Sequence, residues 1–294
     1  MGFEVKEGVL IKYIEEDGLT ELIVPEGVTQ IGCAAFAKNT RLKRVFLPEG
    51  VEIIGEVAFR ECENLEYVEF PQGLQRIESK AFYKCKALKD VQFPEELKHI
   101  GNDAFCQCNS IKHLVIPAKV EKIYCAPGNA GIAEFCAELE TVILLGKPEF
   151  EWGPHKSIIF PQCHKLGKVF YKDIGIDWGY VRYYKEDLNN VLTMIDEKDF
   201  SLKVGSMIKH RIAVDCYLQT GDAVAGAFIK KNLLKIIRDF IEHIQVERIQ
   251  KILEQTDFVT KKNIDKCIES VVGQSEDDEK IRTMFVNYKN EKCL

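Results

Sequence analysis

The chain has 294 residues and lacks any long apolar run. Val142-Ile143-Leu144-Leu145 is typical of its longest, against the roughly 18 residues that mark a membrane helix. Membrane insertion is therefore not expected. The opening Met1-Gly2-Phe3-Glu4-Val5-Lys6-Glu7 carries no apolar stretch of the secretory type. Gly2 sits where a myristoylated glycine would, but Lys6 occupies the place that motif gives to Ser or Thr. Positive charge is not in excess: 40 Lys and Arg against 46 Asp and Glu leave a formal charge of −6. Nucleic acid is an unexpected partner for such a chain.

Chemical signatures are also missing. The eleven cysteines include no Cys-x-x-Cys pair, and Cys106-Gln107-Cys108 is the closest approach. The six histidines form no His-x-x-x-His. Gly-x-Gly-x-x-Gly, a Walker phosphate loop and Gly-x-Ser-x-Gly are all absent. The expectation is no catalytic, cofactor-binding or metal residue, and free thiols in a cytoplasmic chain. If a signal was trimmed ahead of Met1, the expected location becomes extracellular or the cell surface.

Proline is scarce, at nine, yet five of the nine keep register. Pro25, Pro48, Pro71, Pro94 and Pro117 follow one another at intervals of 23. Ala35-Phe36, Ala58-Phe59, Ala81-Phe82 and Ala104-Phe105 share that period, as do Leu42, Leu65, Leu88 and Ile111. Cys62, Cys85 and Cys108 share it too, with Asn39 in their place in the first unit. In Leu65-Glu66-Tyr67-Val68-Glu69-Phe70-Pro71, Val68 and Phe70 alternate with Glu69, the pattern of a strand buried on one face. Pro71 removes a ladder donor and ends it. Leu74 and Ile77 turn inward on the return side, and Ala81-Phe82 caps the interior. One unit cannot bury its own apolar face, whereas stacked units share a core and a parallel sheet.

Seven strands are expected, beginning at Leu19, Leu42, Leu65, Leu88, Ile111, Leu139 and Leu166. The last two come after longer units, with a loop insertion over Tyr124–Gly131. Gly8–Tyr13 is read as a capping strand, and Asp173–Tyr184 as the far cap. The ladder of Cys62, Cys85 and Cys108 is read as buried, reduced filling: it diverges along an axis, whereas zinc needs converging ligands.

The unit from Leu65 to Cys85 resembles the BspA-like leucine-rich repeat, over residues of about 8–172. The resemblance implies a right-handed solenoid used for binding proteins or other macromolecules, and its secreted members are adhesins.

From about Asn189 the apolar period becomes helical. Ile208, Ile212 and Cys216 form one stripe; Leu234, Ile237, Ile241 and Ile244 form another; and Val246, Ile249 and Leu253 form a third. Thr220-Gly221-Asp222 separates two helices. Thr260 is expected to cap a helix carrying Ile264 and Ile268. Ser275 with Asp278 has the spacing of a capping box before Ile281, Phe285 and Tyr288. Residues 205–291 are similar to ankyrin-like tails, though without a Thr-Pro-Leu-His motif. The expected class is α+β: a right-handed leucine-rich-repeat solenoid with a parallel β-sheet over 1–182, then an all-α helical-repeat domain over 183–294.

Function is expected on the outward face of the sheet, where chemistry varies while buried places repeat. One outward column reads Ile23, Phe46, Glu69, Gln92, Val115, Ile143, Phe170, and its neighbour reads Glu21, Arg44, Tyr67, Asp90, His113, Thr141, Lys168. Arg44, Phe46, Tyr67, Glu69, Asp90, Gln92 and His113 are the candidate partner-binding residues: aromatic anchors flanked by charges that set register. The expected role is a non-catalytic scaffold for an unknown protein or other macromolecule. The alternatives are an adhesin and, less favoured, an enzyme with a site near Trp152, His155, Cys163 and His164. Lys230, Lys231, Lys235 and Arg238 read as a solvated basic helix face.

Overall fold

The structure, a computed structural model, describes residues 2–15, 18–125, 132–152, 163–177 and 188–292. The chain divides into two compact units, Met1–Asn189 and Asn190–Leu294. Among the described residues, the first is a β-solenoid of about six turns and the second is a helical region of six helices. The boundary expected at 182 lies outside the described residues.

Each coil contributes to two parallel ladders. The first comprises β3 (Glu21–Ile23), β5 (Arg44–Phe46) and β7 (Tyr67–Glu69), then β10 (His113–Ile116), β12 (Thr141–Leu144) and β14 (Lys168–Tyr171). The second comprises β4 (Gln30–Ile31), β6 (Ile53–Ile54), β8 (Arg76–Ile77), β9 (His99–Ile100), β11 (Lys122–Cys125) and β13 (Glu149–Trp152). Register is one period per step: Arg44 pairs with Tyr67, and Ile54 with Ile77. Alternation fixes the faces, so Leu22, Val45 and Val68 point into the core between exposed or half-buried neighbours. The prolines open the turn between the ladders: Pro48, Pro71, Pro94 and Pro117 each accept a bond from the amide three residues on.

The third side of the coil was not legible as structure. Between Gly55 and Cys62 the amides alternate: Ala58, Arg60 and Cys62 close tight turns within the coil, while Val57, Phe59 and Glu61 donate to Ser79, Ala81 and Tyr83 of the next. That alternation needs two left-handed residues per coil. They are Ala34 and Lys38, Val57 and Glu61, Lys80 and Lys84, and Asp103 and Gln107, with φ between 50° and 64°. None is glycine, and Val57 is β-branched, the least suited type.

The core is a set of vertical rows. Leu42, Leu65, Leu88 and Ile111 are all buried. Phe36, Phe59, Phe82 and Phe105 stack with centroids 4.7, 5.0 and 5.1 Å apart and planes within 9°. The thiol row has more members than the period announces. Cys62, Cys85, Cys108, Cys136 and Cys163 donate to Phe36, Phe59, Phe82, Phe105 and Ala133 carbonyls one coil back, at 2.9–3.1 Å. All five are free, and burial pushes the Cys62 thiol up to about 12. In the first coil, Asn39 Oδ1 accepts from the amides of Arg41 and Leu42. Outside, charges are matched between coils, as in Glu63 with Lys86 and Glu66 with Lys89, at 2.8 and 3.1 Å. Exposed pairs of this kind are worth about 0–1 kcal/mol each, so they guide register more than they stabilise it.

Three expectations for this unit change. The rung from Leu88 forms no strand, although Lys89 still donates to Glu66 O at 3.2 Å. Asp90 is a poor strand residue, and the Phe93 ring, stacked 6.2 Å from Phe70, takes a place filled by Val24 and Leu47 in the first coils. Tyr124 and Cys125 belong to β11, not to a loop; residues 126–131 lie outside the described residues. The N-terminal cap is a hairpin, β1 (Gly2–Lys6) antiparallel to β2 (Val9–Ile14), with β2 continuing the second ladder. At the other end, within the segment expected to be the far cap, β15 (Ile174–Asp177) folds back on β14.

The second unit consists of α1 (Leu188–Glu197), α2 (Ser206–Thr220), α3 (Ala223–Glu242), α4 (Val246–Gln255), α5 (Ile264–Glu269) and α6 (Glu276–Glu291). Gly221 ends α2 with φ 67°, and Asp222 starts α3 by accepting from Ala225 N at 2.8 Å. Gly226 is where the Tyr217 ring crosses: a Cβ there would lie 2.8 Å from it. The α3 face is shifted by one residue from the expected stripe, burying Leu233, Ile236, Ile237 and Phe240, while Ile244 lies past the helix end and is 58% exposed. Adjacent apolar pairs at 233–234, 236–237 and 240–241 leave two faces equally plausible by period; the Phe240 ring decides. Asn263, not Thr260, holds the cap position of α5. The Ser275–Asp278 capping box is present, with both bonds at 3.1 Å. Arg248 grips Asp215 with two nitrogens at 3.1 and 2.7 Å, and the buried His210 meets Asp239 at 2.6 Å. Among the described residues no helix is long and apolar enough to cross a membrane.

Three outcomes are expected from this architecture. Alkylation of the native chain should reach Cys33, the exposed thiol among the described residues, whereas the five row thiols react only in denaturant; mass mapping of labelled peptides reads the difference. Val57→Asn puts a residue that tolerates the left-handed region at φ 51° and should gain about 0.5–1 kcal/mol, seen as a higher urea midpoint. Burial holds the His210 pKa below its usual value, outweighing the opposing pull of Asp239. The folded chain thus binds this proton less readily than the unfolded one, so the stability it contributes is present above about 6.5 and is lost as pH falls. Urea titrations followed by helical circular dichroism should show that loss, and His210→Gln should flatten it.

Candidate functional site

The outward face of the first ladder is built by alternation alone. With Val45 and Val68 inward, Arg44, Phe46, Tyr67 and Glu69 face out, and parallel pairing sets Arg44 beside Tyr67 and Phe46 beside Glu69. Three of these groups converge. The Arg44 guanidinium carbon lies 5.4 Å from both the Phe46 and the Tyr67 ring centroids, and the rings stand 6.3 Å apart at 59°. Its Nη1 is 3.8 Å from Glu21 Oε1 on the preceding strand. The cluster is a planar cation held over two half-buried rings, which leaves little rotamer freedom to lose on contact.

Asp90 and His113 sit apart from that cluster, where the ladder lapses. They border a cavity of about 400 Å³ together with Lys89, Ser110, Lys112 and Glu138. His113 Nδ1 lies 2.5 Å from Thr141 Oγ1 on the next strand. Gln92 is exposed between the two groups. The structure therefore brings Arg44, Phe46 and Tyr67 together with Glu69 alongside, and assigns Asp90 and His113 to a second feature. The cavity was not foreseen, since nothing in Lys89-Asp90-Val91 breaks the period. A further groove of about 360 Å³ runs along Ile143, Leu145 and Phe170 at the far end of the same face.

Of the residues considered for a catalytic site, His155 lies outside the described residues, His164 is exposed and Cys163 points into the core as part of the thiol row. Cys163 and His164 therefore face different ways. The basic residues of α3 remain solvent-facing in part: Lys230, Lys231, Lys235 and Arg238 are all exposed.

The coil geometry has counterparts among known families. Residues 13–126 match the BspA type leucine rich repeat region in six copies. The coils over that segment are similar to this family's repeats. The helices lie outside that match. Solved structures similar to the chain include a leucine rich repeat protein from T. pallidum, 28% identical over 55% of this chain and 72% of that one, with a TM-score of 0.45. A leucine rich cell surface protein from Faecalibacterium prausnitzii is 28% identical over 50% of this chain and 36% of its own, with a TM-score of 0.41. The pneumococcal vaccine antigen PcpA is 22% identical over 62% and 43%, with a TM-score of 0.48. The matched region thus spans less than half of the last two proteins. No curated protein matches the chain.

Proposed function

We propose that the BspA type coil stack is a non-catalytic scaffold that docks a partner protein on the outward face of its first ladder. The observation that carries this reading is the Arg44–Phe46–Tyr67 cluster, a cation and two rings mutually braced on strands that cannot move without disturbing the row of Leu and Val beneath. Arg, Tyr and Phe are residue types enriched at protein interfaces, with Arg and Tyr prominent among their hot spots. Glu69, Asp90, Gln92 and His113 extend the face along the stack and set the partner's register by charge and hydrogen bonding. The helical unit, read as paired helices of the ankyrin kind, offers a second surface.

The experiment is affinity capture on the immobilised full chain from an extract of its host. The captured protein is then titrated against the Phe46→Ala/Tyr67→Ala double variant. Loss of both rings should weaken binding by at least tenfold, about 1.4 kcal/mol, while the melting temperature stays close to that of the parent. Undiminished binding by the folded double variant would reject this face.

A further inference from the structure

Opposite in character to the apolar rows, one point on the turn side of the stack collects three metal-ligating groups. Asp103, Cys106 and Glu134 hold their ligand atoms within 4.8 Å of one another. They border a cavity of about 220 Å³ that Arg60, Lys80, Tyr83 and Gln107 also line. In the coils before, the place of Cys106 is held by Ala37, Arg60 and Tyr83, and that of Asp103 by Ala34, Val57 and Lys80. Glu134 follows Cys106 in the same column after the longer unit, anchored by the bond from Gln107 N to Glu134 O at 2.7 Å. Cys106 is not part of the thiol row: it stands two residues before Cys108, is itself buried at 3% exposure, and borders this cavity.

Asp103 supplies the second, independent observation. It is only 4% exposed, and its Oδ2 accepts from Asn102 Nδ2 at 3.0 Å. Its Oδ1 is buried and has no hydrogen-bond partner, and the Lys80 charge acts on the carboxylate from the cavity lining without a hydrogen bond to it. Such an acceptor costs about 1–3 kcal/mol, and more when charged, unless something cationic meets it. Its residue lines the cavity that the Cys106 thiol and the Glu134 carboxylate share.

We propose that Asp103, Cys106 and Glu134 form a binding site for a divalent transition-metal ion, with zinc the best match. One thiolate and two carboxylates suit a borderline-soft ion, and hard calcium or magnesium would not choose sulfur. Ligands at tetrahedral angles around zinc lie about 3.5 Å apart, so the three groups must close by about an ångström, and the cavity leaves room for that movement. A water completes the fourth position. The ion would join adjacent coils at the place where the period lengthens. This inference is independent of the docking face.

The test is a titration of the full chain, stripped with a chelator, with Co²⁺ as the spectroscopic stand-in for zinc. One equivalent should generate a thiolate-to-cobalt charge-transfer band that Zn²⁺ then abolishes. Cys106→Ser should lose the band, Asp103→Asn should weaken Co²⁺ binding at least tenfold, and the core variant Cys85→Ser should keep both. The Asn variant retains a residue suited to the left-handed backbone at position 103, so its fold is secured against the loss of charge. No band in the parent chain, or a band surviving in Cys106→Ser, would overturn the site.

Discussion

A 23-residue coil has nowhere to hide its own apolar side, and this one constraint organises the first unit. Each coil leaves half of its turn-side amides for the coil above, so the backbone is satisfied only in the stack. The thiol row extends the same logic to side chains, because each sulfur donates to a carbonyl of the coil before it. The phenylalanine row fills what remains, ring over ring at 4.7–5.1 Å. A stack of this kind has two open ends by construction. The β1–β2 hairpin closes one, with Phe3 and Tyr13 prolonging the aromatic row, and β15 folds over the last described rung at the other.

How much of this could be read beforehand depended on where the physics sits. Period, strand faces and core rows follow from side-chain identity, so Val45, Phe59, Leu65 and Cys85 announced their places. The left-handed residues did not, because Ala34, Val57, Lys80 and Asp103 share no chemistry. Their backbone is imposed by hydrogen bonds to the neighbouring coil, a tertiary cause with no local signal. The missing strand after Leu88 is similar: Asp90 is a mild hint, but the lapse needs the bulk of Phe70 and Phe93 in successive coils. Cys136 escaped notice because its unit is longer, although it sits in the thiol row as firmly as Cys108. In α3 the doubled apolar positions made the face ambiguous, and packing settled it.

The candidate docking face was legible for the same reason as the core, since a buried Val at one place forces its neighbours outward. What could not be read was how those outward groups divide. Arg44, Phe46 and Tyr67 gather because adjacent strands stand about 4.8 Å apart, within reach of a guanidinium over a ring. Asp90 and His113 fall on the far side of the lapse and border a cavity instead.

Cys106 and Cys108 show why column position matters more than residue type in such a stack. Two residues apart, they point into different worlds. Cys108 is one of a vertical series whose sulfurs meet carbonyls of the preceding coil, an arrangement that spreads thiols along an axis and denies any ion a second sulfur. Cys106 lines a cavity beside two neighbours, Asp103 from its own turn and Glu134, which holds the same column in the next coil. Convergence needs neighbouring columns and neighbouring coils together, which a regular repeat of inert residues never supplies. It arises where three unrelated substitutions coincide at one cavity, and the carboxylate oxygen left without a hydrogen-bond partner there is the physical sign that the coincidence has a use.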